Sequence, residues 1–311
     1  MALRAEKQVP AVYFGKPGAL FQLPWPVGGI EKPYERQLFD FLTGSGFHQV
    51  SQLQGGSRLY SVKWEALHVD NYGKLHQYYV GANGPGPYVL LDPSEPNILP
   101  ANVAAACSLY KTGRDFVTNS TATEGQVVAN TNDVVIHRPH ADTCIKWLFT
   151  GAAVATPTLG VAGLFRSWYA TPALAGQAYT WSSWMRADPV DTAITASMTL
   201  EFLDAAGTSL GAATSSGNIS LTATYQRVSV TATAPAGTAY VRSRWVADGT
   251  TISVGGSILI DEPLLEYGSV LNDWAPATGI RPVQIVGLTD VVPFSAYMRQ
   301  DIQLQLREMT K

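Results

Sequence analysis

Gln177–Ala187 reads QAYTWSSWMRA, an aromatic-rich run bounded by Gly176 on one side and Asp188-Pro189 on the other. Four runs of the same kind follow. Thr195–Leu203 (TASMTLEFL) ends in the turn Asp204-Ala205-Ala206-Gly207, after which Thr208–Leu210 resumes. Gln226–Thr233 (QRVSVTAT) stops at Ala234-Pro235-Ala236-Gly237, Ala239–Val246 (AYVRSRWV) alternates again, and Ser257–Asp261 (SILID) is the last. Short runs of β-branched and aromatic residues, punctuated by turn residues, describe a two-sheet β-sandwich. Because side chains alternate along a strand, Trp184 and Arg186 share one face and Trp181 takes the other; Arg242 and Arg244 likewise lie opposite Trp245. Tyr179, Trp181 and Trp245 are therefore expected in the sandwich core.

The surrounding composition agrees. Only 14% of the 311 residues are charged, while 46% are hydrophobic, and Gly 28 and Pro 19 interrupt the chain often. Average proteins carry about 25% charge. A helical bundle needs long uninterrupted runs of Glu, Lys, Leu and Ala, and a disordered chain needs high charge with few aromatics; neither pattern is present. A net charge of −3 provides no basic field for nucleic acid. No stretch reaches the ~18 apolar residues of a membrane span. Arg4, Glu6 and Lys7 stand where a signal peptide needs its apolar region, so Sec-type export is not expected.

Charge is uneven along the chain. Asn97–Ile280 holds 22 charged residues in 184, and the flanks 1–96 and 281–311 hold 23 in 127. The shift marks a domain boundary. In the first flank Leu59–Trp64 alternates as a strand, His68–Val80 is the helical segment despite Gly73, and Tyr88–Leu91 is a short apolar strand. Val9–Tyr34 contains five prolines with Phe14, Phe21 and Trp25, and reads as an arm with little regular structure. From Asp301 onward Ile302, Leu304 and Leu306 alternate with Gln303, Gln305 and Arg307, a period-two strand. A lone amphipathic strand at that position needs a sheet to join, so it is expected to return to the first flank and make one discontinuous domain of 1–96 and 281–311 around an inserted 97–280.

The order WSSWMRA (Trp181–Ala187), Glu201–Gly207, Tyr225–Arg242, Ile260–Gly268 and DWAP (Asp273–Pro276) resembles carbohydrate-binding β-sandwich modules of the galactose-binding-like, jelly-roll kind. The flanks resemble the hub domain of distal tail proteins and related minor tail proteins of long-tailed, siphovirus-like phages of actinobacteria. The residues concerned are Leu23-Pro24-Trp25-Pro26, RLYSVKWEAL (Arg58–Leu67), GPGPYVLLDPSEPN (Gly84–Asn97), Leu99-Pro100-Ala101-Asn102-Val103, GLTDVVPF (Gly287–Phe294) and IQLQLRE (Ile302–Glu308). The two resemblances imply an all-β protein: a hub built as a small β-barrel or sheet with one short helix, carrying an inserted jelly roll. They imply a virion protein of the tail tip or baseplate, assembled in the host cytoplasm into a homohexameric ring. Its partners would be the tail tube protein and the tail-tip and tape-measure-associated proteins, with the sandwich serving host attachment at a cell-wall or surface polysaccharide. A freestanding polysaccharide-binding protein is the alternative, and a hydrolase subunit a third reading.

Sugar recognition draws on aromatic faces and planar polar side chains, which nominates Trp168, Tyr169, Trp184, Arg186, Arg242 and Arg244. Phe14, Phe21 and Trp25 are the expected subunit-interface residues, each contributing about 2–3 kcal/mol if buried against a neighbour. The module resemblance implies a structural Ca²⁺ near the last sandwich strand, with Asp261 and Glu262 as candidate ligands; a full shell needs about six oxygens. His137-Arg138-Pro139-His140 with Asp142 and Cys144 has the residue types of a zinc site but lacks paired ligand spacing, and reads as a polar loop. Cys107 and Cys144 are expected as buried, unpaired thiols. No nucleophile elbow, metalloprotease helix or phosphate loop occurs, and Glu201 and Asp204 read as solvated carboxylates, so no catalysis is expected.

Overall fold

The protein's structure is a computed structural model that describes residues 11–31, 34–35, 38–42, 48–52, 57–104, 116–118, 126–132, 143–149, 157–161, 170–188, 194–248, 252, 254–277, 280, 282–291 and 299–309. In chain order come β1 (Ala11–Lys16), β2 (Ala19–Pro24), β3 (Ile30–Glu31), β4 (Tyr34–Glu35), β5 (Leu38–Leu42), β6 (His48–Gln52) and β7 (Ser57–His68). Next are α1 (Val69–Tyr79), β8 (Tyr88–Leu91), α2 (Ala101–Ala104), β9 (Phe116–Thr118), β10 (Gln126–Asn132), β11 (Thr143–Leu148), β12 (Thr158–Val161) and β13 (Thr171–Pro172). The remainder are β14 (Ala178–Ala187), β15 (Ile194–Leu203), β16 (Thr214–Ser215), β17 (Ile219–Leu221), β18 (Gln226–Thr233), β19 (Tyr240–Ala247), β20 (Ser257–Tyr267), β21 (Pro282–Val291) and β22 (Arg299–Glu308). The fold is mostly β, and its sheets are antiparallel.

Two compact units form, one from Gln8–Asp92 with Arg281–Lys311 and the other containing Pro93–Ile280. The change of unit falls after Asp92, slightly ahead of the compositional shift at Asn97. Asn97 itself is wholly buried in the second unit. Its Nδ2 donates to the carbonyls of Pro263 at 3.1 Å and Ala275 at 3.0 Å.

The first unit is an eight-stranded sheet in the order β2-β1-β8-β21-β22-β7-β3, with β4 also on β7. Its ends, β2 and β3, do not pair with each other among the described residues, so the sheet is open and no barrel closes. The period-two reading of the last strand holds: Ile302, Leu304 and Leu306 are buried and Gln303 and Arg307 exposed. The inward face carries Val12, Phe14, Val62, Trp64, Tyr88 and Leu304, against which α1 lays Leu75 and Tyr78. The side chain of His68 caps that helix, Nδ1 accepting from the Asp70 amide at 3.3 Å.

The expected irregular arm is corrected. Ala11–Pro24 is a β-hairpin, paired from Ala11↔Pro24 to Lys16↔Ala19 and turning at Pro17-Gly18 with Gly18 at φ +80°. The prolines are accommodated because Pro17 lies in the turn and Pro24 ends the edge strand β2, where a missing N–H costs little. Phe14 is fully buried, with ring centroids 5.5 Å from Tyr78 and 6.0 Å from Phe21. Phe21 stacks on Tyr78 at 5.7 Å and lies beneath Lys74 Nζ, also 5.7 Å away. Both phenylalanines therefore serve their own unit's core, and of the three expected interface residues Trp25 is the one exposed, at 37%.

The second unit is the expected sandwich. One sheet runs β10-β11-β20-β14-β18; the other runs β16-β15-β19-β12-β9, with β13 on β19 and β17 on β15. They meet through Trp181 and Trp245, both buried, with ring centroids 4.8 Å apart. The Trp245 indole N–H donates to Ser183 Oγ at 2.9 Å. Strand β20 continues beyond the Ser257–Asp261 run to Tyr267, as the module resemblance over Ile260–Gly268 implies. Glu262 and Pro263 bulge opposite Ser183, between the pairs Asp261↔Trp184 and Leu264↔Ser182, with Glu262 at φ +49°. The bulge lets a proline sit in an interior strand without breaking the ladder.

Glu308 is buried on β22. It receives Tyr60 Oη at 2.7 Å and the Arg58 amide at 3.2 Å, and pairs with the Arg58 guanidinium at 3.4 Å. Glu308→Ala strips a buried guanidinium of its carboxylate, which costs about 3–5 kcal/mol. Calorimetry is expected to show that loss in the first unit's transition, with the sandwich transition unmoved. Ser183→Ala removes the acceptor of a buried indole and is expected to destabilise the sandwich by about 1–3 kcal/mol, measured by chemical denaturation.

Candidate functional site

Strands β15 and β19 pair with Thr199 opposite Arg244 and Glu201 opposite Arg242. Alternation sends Met198, Leu200, Val241, Ser243 and Trp245 inward. It sends Thr199, Glu201, Arg242 and Arg244 to the outer face. There Arg242 Nε and Nη2 donate to Glu201 Oε2 at 3.0 and 2.6 Å. Arg244 Nη2 approaches the same oxygen at 3.2 Å. Side-chain exposure is 24% for Arg242, 28% for Arg244 and 12% for Glu201, so the guanidiniums reach solvent while the carboxylate is screened. Beyond Arg244, β12 places Gly160, which adds no side chain to that flank.

Two cations share one anion here. Burial lowers the pKa of Arg244 below the ordinary arginine value, repulsion from Arg242 lowers it further, and attraction to Glu201 offsets part of this. A guanidinium remains charged under such a shift. Chemically, the cluster presents planar N–H donors on a sheet face whose neighbouring described positions include Thr199, Thr158, Gly160 and Val246.

Trp184 and Arg186 lie on the other sheet and do not join this cluster. Trp184 is half-buried between Arg227 on β18 and Asp261 on β20. Arg186 is 2% exposed; its Nη1 donates to the Ala187 carbonyl at 3.2 Å and its guanidinium lies 5.6 Å from the Tyr225 ring. Its expected ligand-facing exposure is corrected: Tyr225, which alternation alone did not place, covers it. The same outer face is overlaid by the chain beyond β20. Glu266, fully buried, takes the Asn272 amide at 3.0 Å and its Nδ2 at 2.6 Å, and Arg227 Nη2 donates to the Asn272 carbonyl. Trp168 and Tyr169 lie outside the described residues.

Asp261 is buried, and its Oδ1 accepts from the Glu262 amide at 2.8 Å, holding the bulge. No group of three or more His, Cys, Asp or Glu residues that could hold a metal occurs among the described residues. This carboxylate thus serves the backbone at the bulge. His137, His140, Asp142 and Cys107 lie outside the described residues; Cys144 is buried on β11. Glu201, read from sequence as a solvated carboxylate, is instead the anion that organises Arg242 and Arg244. The signal that would have found it is the antiparallel register, which one strand read by itself does not contain.

No helix among the described residues is long and apolar enough to cross a membrane. No family model matches the chain, and no curated protein matches it. Among solved structures it is similar to the enzymatically active domain of tailspike protein 4 of bacteriophage CBA120, at 17% identity and TM-score 0.41, over 57% of this chain and 22% of that one. It is similar to TmCBM61, solved with β-1,4-galactotriose, at 11% identity and TM-score 0.36, over 55% of this chain and 99% of that one. The CBM22-1 xylan-binding domain of Paenibacillus barcinonensis Xyn10C aligns at 10% identity and TM-score 0.35, over 51% of this chain and 90% of that one. The chain spans 22% and 28% of the length of the tailspike domain and of an α-L-arabinofuranosidase that it also matches.

Proposed function

We propose that the sandwich binds glycan on the outer face of the β19 sheet, and that the chain is a structural, non-catalytic virion protein of a long phage tail. The observation that carries the glycan reading is the Arg242–Glu201–Arg244 cluster, set on the sheet with its guanidiniums 24% and 28% exposed. Planar donors held in place by a buried tryptophan scaffold suit the fixed hydroxyl geometry of a sugar, since less ordering entropy is lost on binding. The sequence resemblance to carbohydrate-binding modules supports the same reading.

The virion part of the proposal rests on the resemblance of the flanks to distal tail hub domains. The discontinuous sheet completed by β21 and β22 is compatible with it. In this reading the first unit forms a closed, six-fold ring at the end of the tail tube. It contacts the tube protein on one side and the tail-tip and tape-measure-associated proteins on the other, and the sandwich reaches toward the host envelope polysaccharide. Trp25 and Val27, 37% and 50% exposed beside the end of β2, would supply apolar side chains to a subunit contact. Closed rings repeat one heterologous contact, so a single anchor is multiplied around the ring.

Light scattering on the purified chain tests assembly and an insoluble cell-wall polysaccharide pull-down tests binding. The expected outcome is a discrete ring that binds polysaccharide, with Trp25→Ala giving a folded monomer that still binds. A monomer that binds glycan but never co-purifies with tails would leave the freestanding alternative in its place.

A further inference from the structure

We infer that the glycan taken by this face carries an oxyanion, a uronate carboxylate or a sugar phosphate, and that Arg244 engages it. The inference rests on the glycan-binding reading above and adds its chemical class.

The argument begins with the unequal sharing of Glu201. Arg242 commits two nitrogens, Nε and Nη2, to Oε2 at 3.0 and 2.6 Å. Arg244 reaches the same oxygen with Nη2 alone, at 3.2 Å. A guanidinium has five N–H donors. Those on Nε and Nη1 of Arg244 have no hydrogen-bond acceptor among the described residues, and the side chain is 28% exposed. Among the described residues the neighbouring outward positions are Ser197 and Thr199 on β15, Val246 on β19, Ser215 on β16, and Thr158 and Gly160 on β12, all uncharged. Two guanidiniums against one carboxylate therefore leave a local excess of one positive charge among the described residues.

Several features make an oxyanion the natural complement. An N–H to a charged acceptor forms a bond roughly twice as strong as one to a neutral hydroxyl. The fork of Arg244 matches the spacing of two carboxylate or phosphate oxygens. Repulsion from Arg242, which with burial lowers the pKa of Arg244, would be relieved by a second anion. The chain as a whole has a net charge of −3, so general attraction of polyanions does not account for such a preference.

The test compares three polymers on the full chain by isothermal titration: polygalacturonate, poly(glycerol phosphate) and a neutral galactan. The expected result is binding of at least one polyanion about tenfold or more tighter than galactan, the two polyanions distinguishing carboxylate from phosphate. Arg244→Gln should bring the ratio of anionic to neutral affinity close to one. Arg244→Lys, which keeps the charge and loses the fork, should retain part of it. Glu201→Gln should raise the ratio by removing the competing anion, and calorimetry verifies that each variant is folded. Galactan bound as well as both polyanions, or an unchanged ratio in folded Arg244→Gln, overturns the inference and leaves glycan binding standing. Failure to bind any of the polymers overturns the inference and counts equally against the reading beneath it.

Discussion

Strand β22 lies between β21 and β7, so a sheet begun before Asp92 is completed by residues after Arg281. Everything in the first unit depends on that closure. Without β21 and β22 no described strand bridges β8 to β7, and the inward face holding Trp64, Tyr88 and Phe14 is split. The buried Glu308 fixes the register at one end. It takes a backbone amide, a phenol and a guanidinium from residues about 250 positions earlier, which a slipped pairing could not present together. A buried ion pair is a weak source of net stability, because desolvation consumes most of its Coulomb gain. Here it specifies a register.

The same sheet explains why a large insertion is tolerated. The chain leaves at Asp92, directly after β8, and returns at Arg281, directly before β21, and these two strands are paired through Val89↔Pro282 and Tyr88↔Val283. Exit and re-entry are thus neighbours in one ladder. A compact inserted unit with adjacent termini spares the host sheet most of the closure entropy of a flexible loop, which itself grows by only about 0.6 kcal/mol per doubling of length. Each unit can then use its strands for its own purpose.

The sandwich was legible in sequence wherever alternation and turns agree. Trp181 and Trp245 fell on core faces and Arg242 with Arg244 on an outer one, because period two is a local property of the chain. What could not be read was cross-strand and long-range. Glu201 as the shared anion depends on the β15–β19 register. Arg186 looked ligand-facing because it shares a strand face with Trp184, yet Tyr225, just before β18, closes over it. The Val9–Tyr34 stretch misled for the opposite reason: proline density argued against strands, while Pro17 and Pro24 occupy the two places in an edge hairpin where proline is harmless. The Ser257–Asp261 run was read short of its full length, because a bulge at Glu262-Pro263 interrupts the alternation.

Scarcity of charge sharpens the meaning of the charges that remain. Several in the sandwich are bound to internal tasks: Lys146 pairs with Asp188 at 3.0 Å beneath Ser257, and Glu266 and Arg227 both hold the Asn272 segment. These contacts secure strand ends and the covering chain, and each brings donor and acceptor together. The Arg242–Glu201–Arg244 group differs in its arithmetic, since two cations meet one anion, and in its setting, the outer face of a sheet rather than a strand end. Placing an extra cation beside another is unfavourable in a folded chain unless something repays it. Trp245, next to Arg244 in the chain and facing inward, is held by the Ser183 bond and the Trp181 ring, which anchors the strand beneath the guanidiniums. The packing that makes the sandwich stable is therefore also what holds the positive excess at its surface.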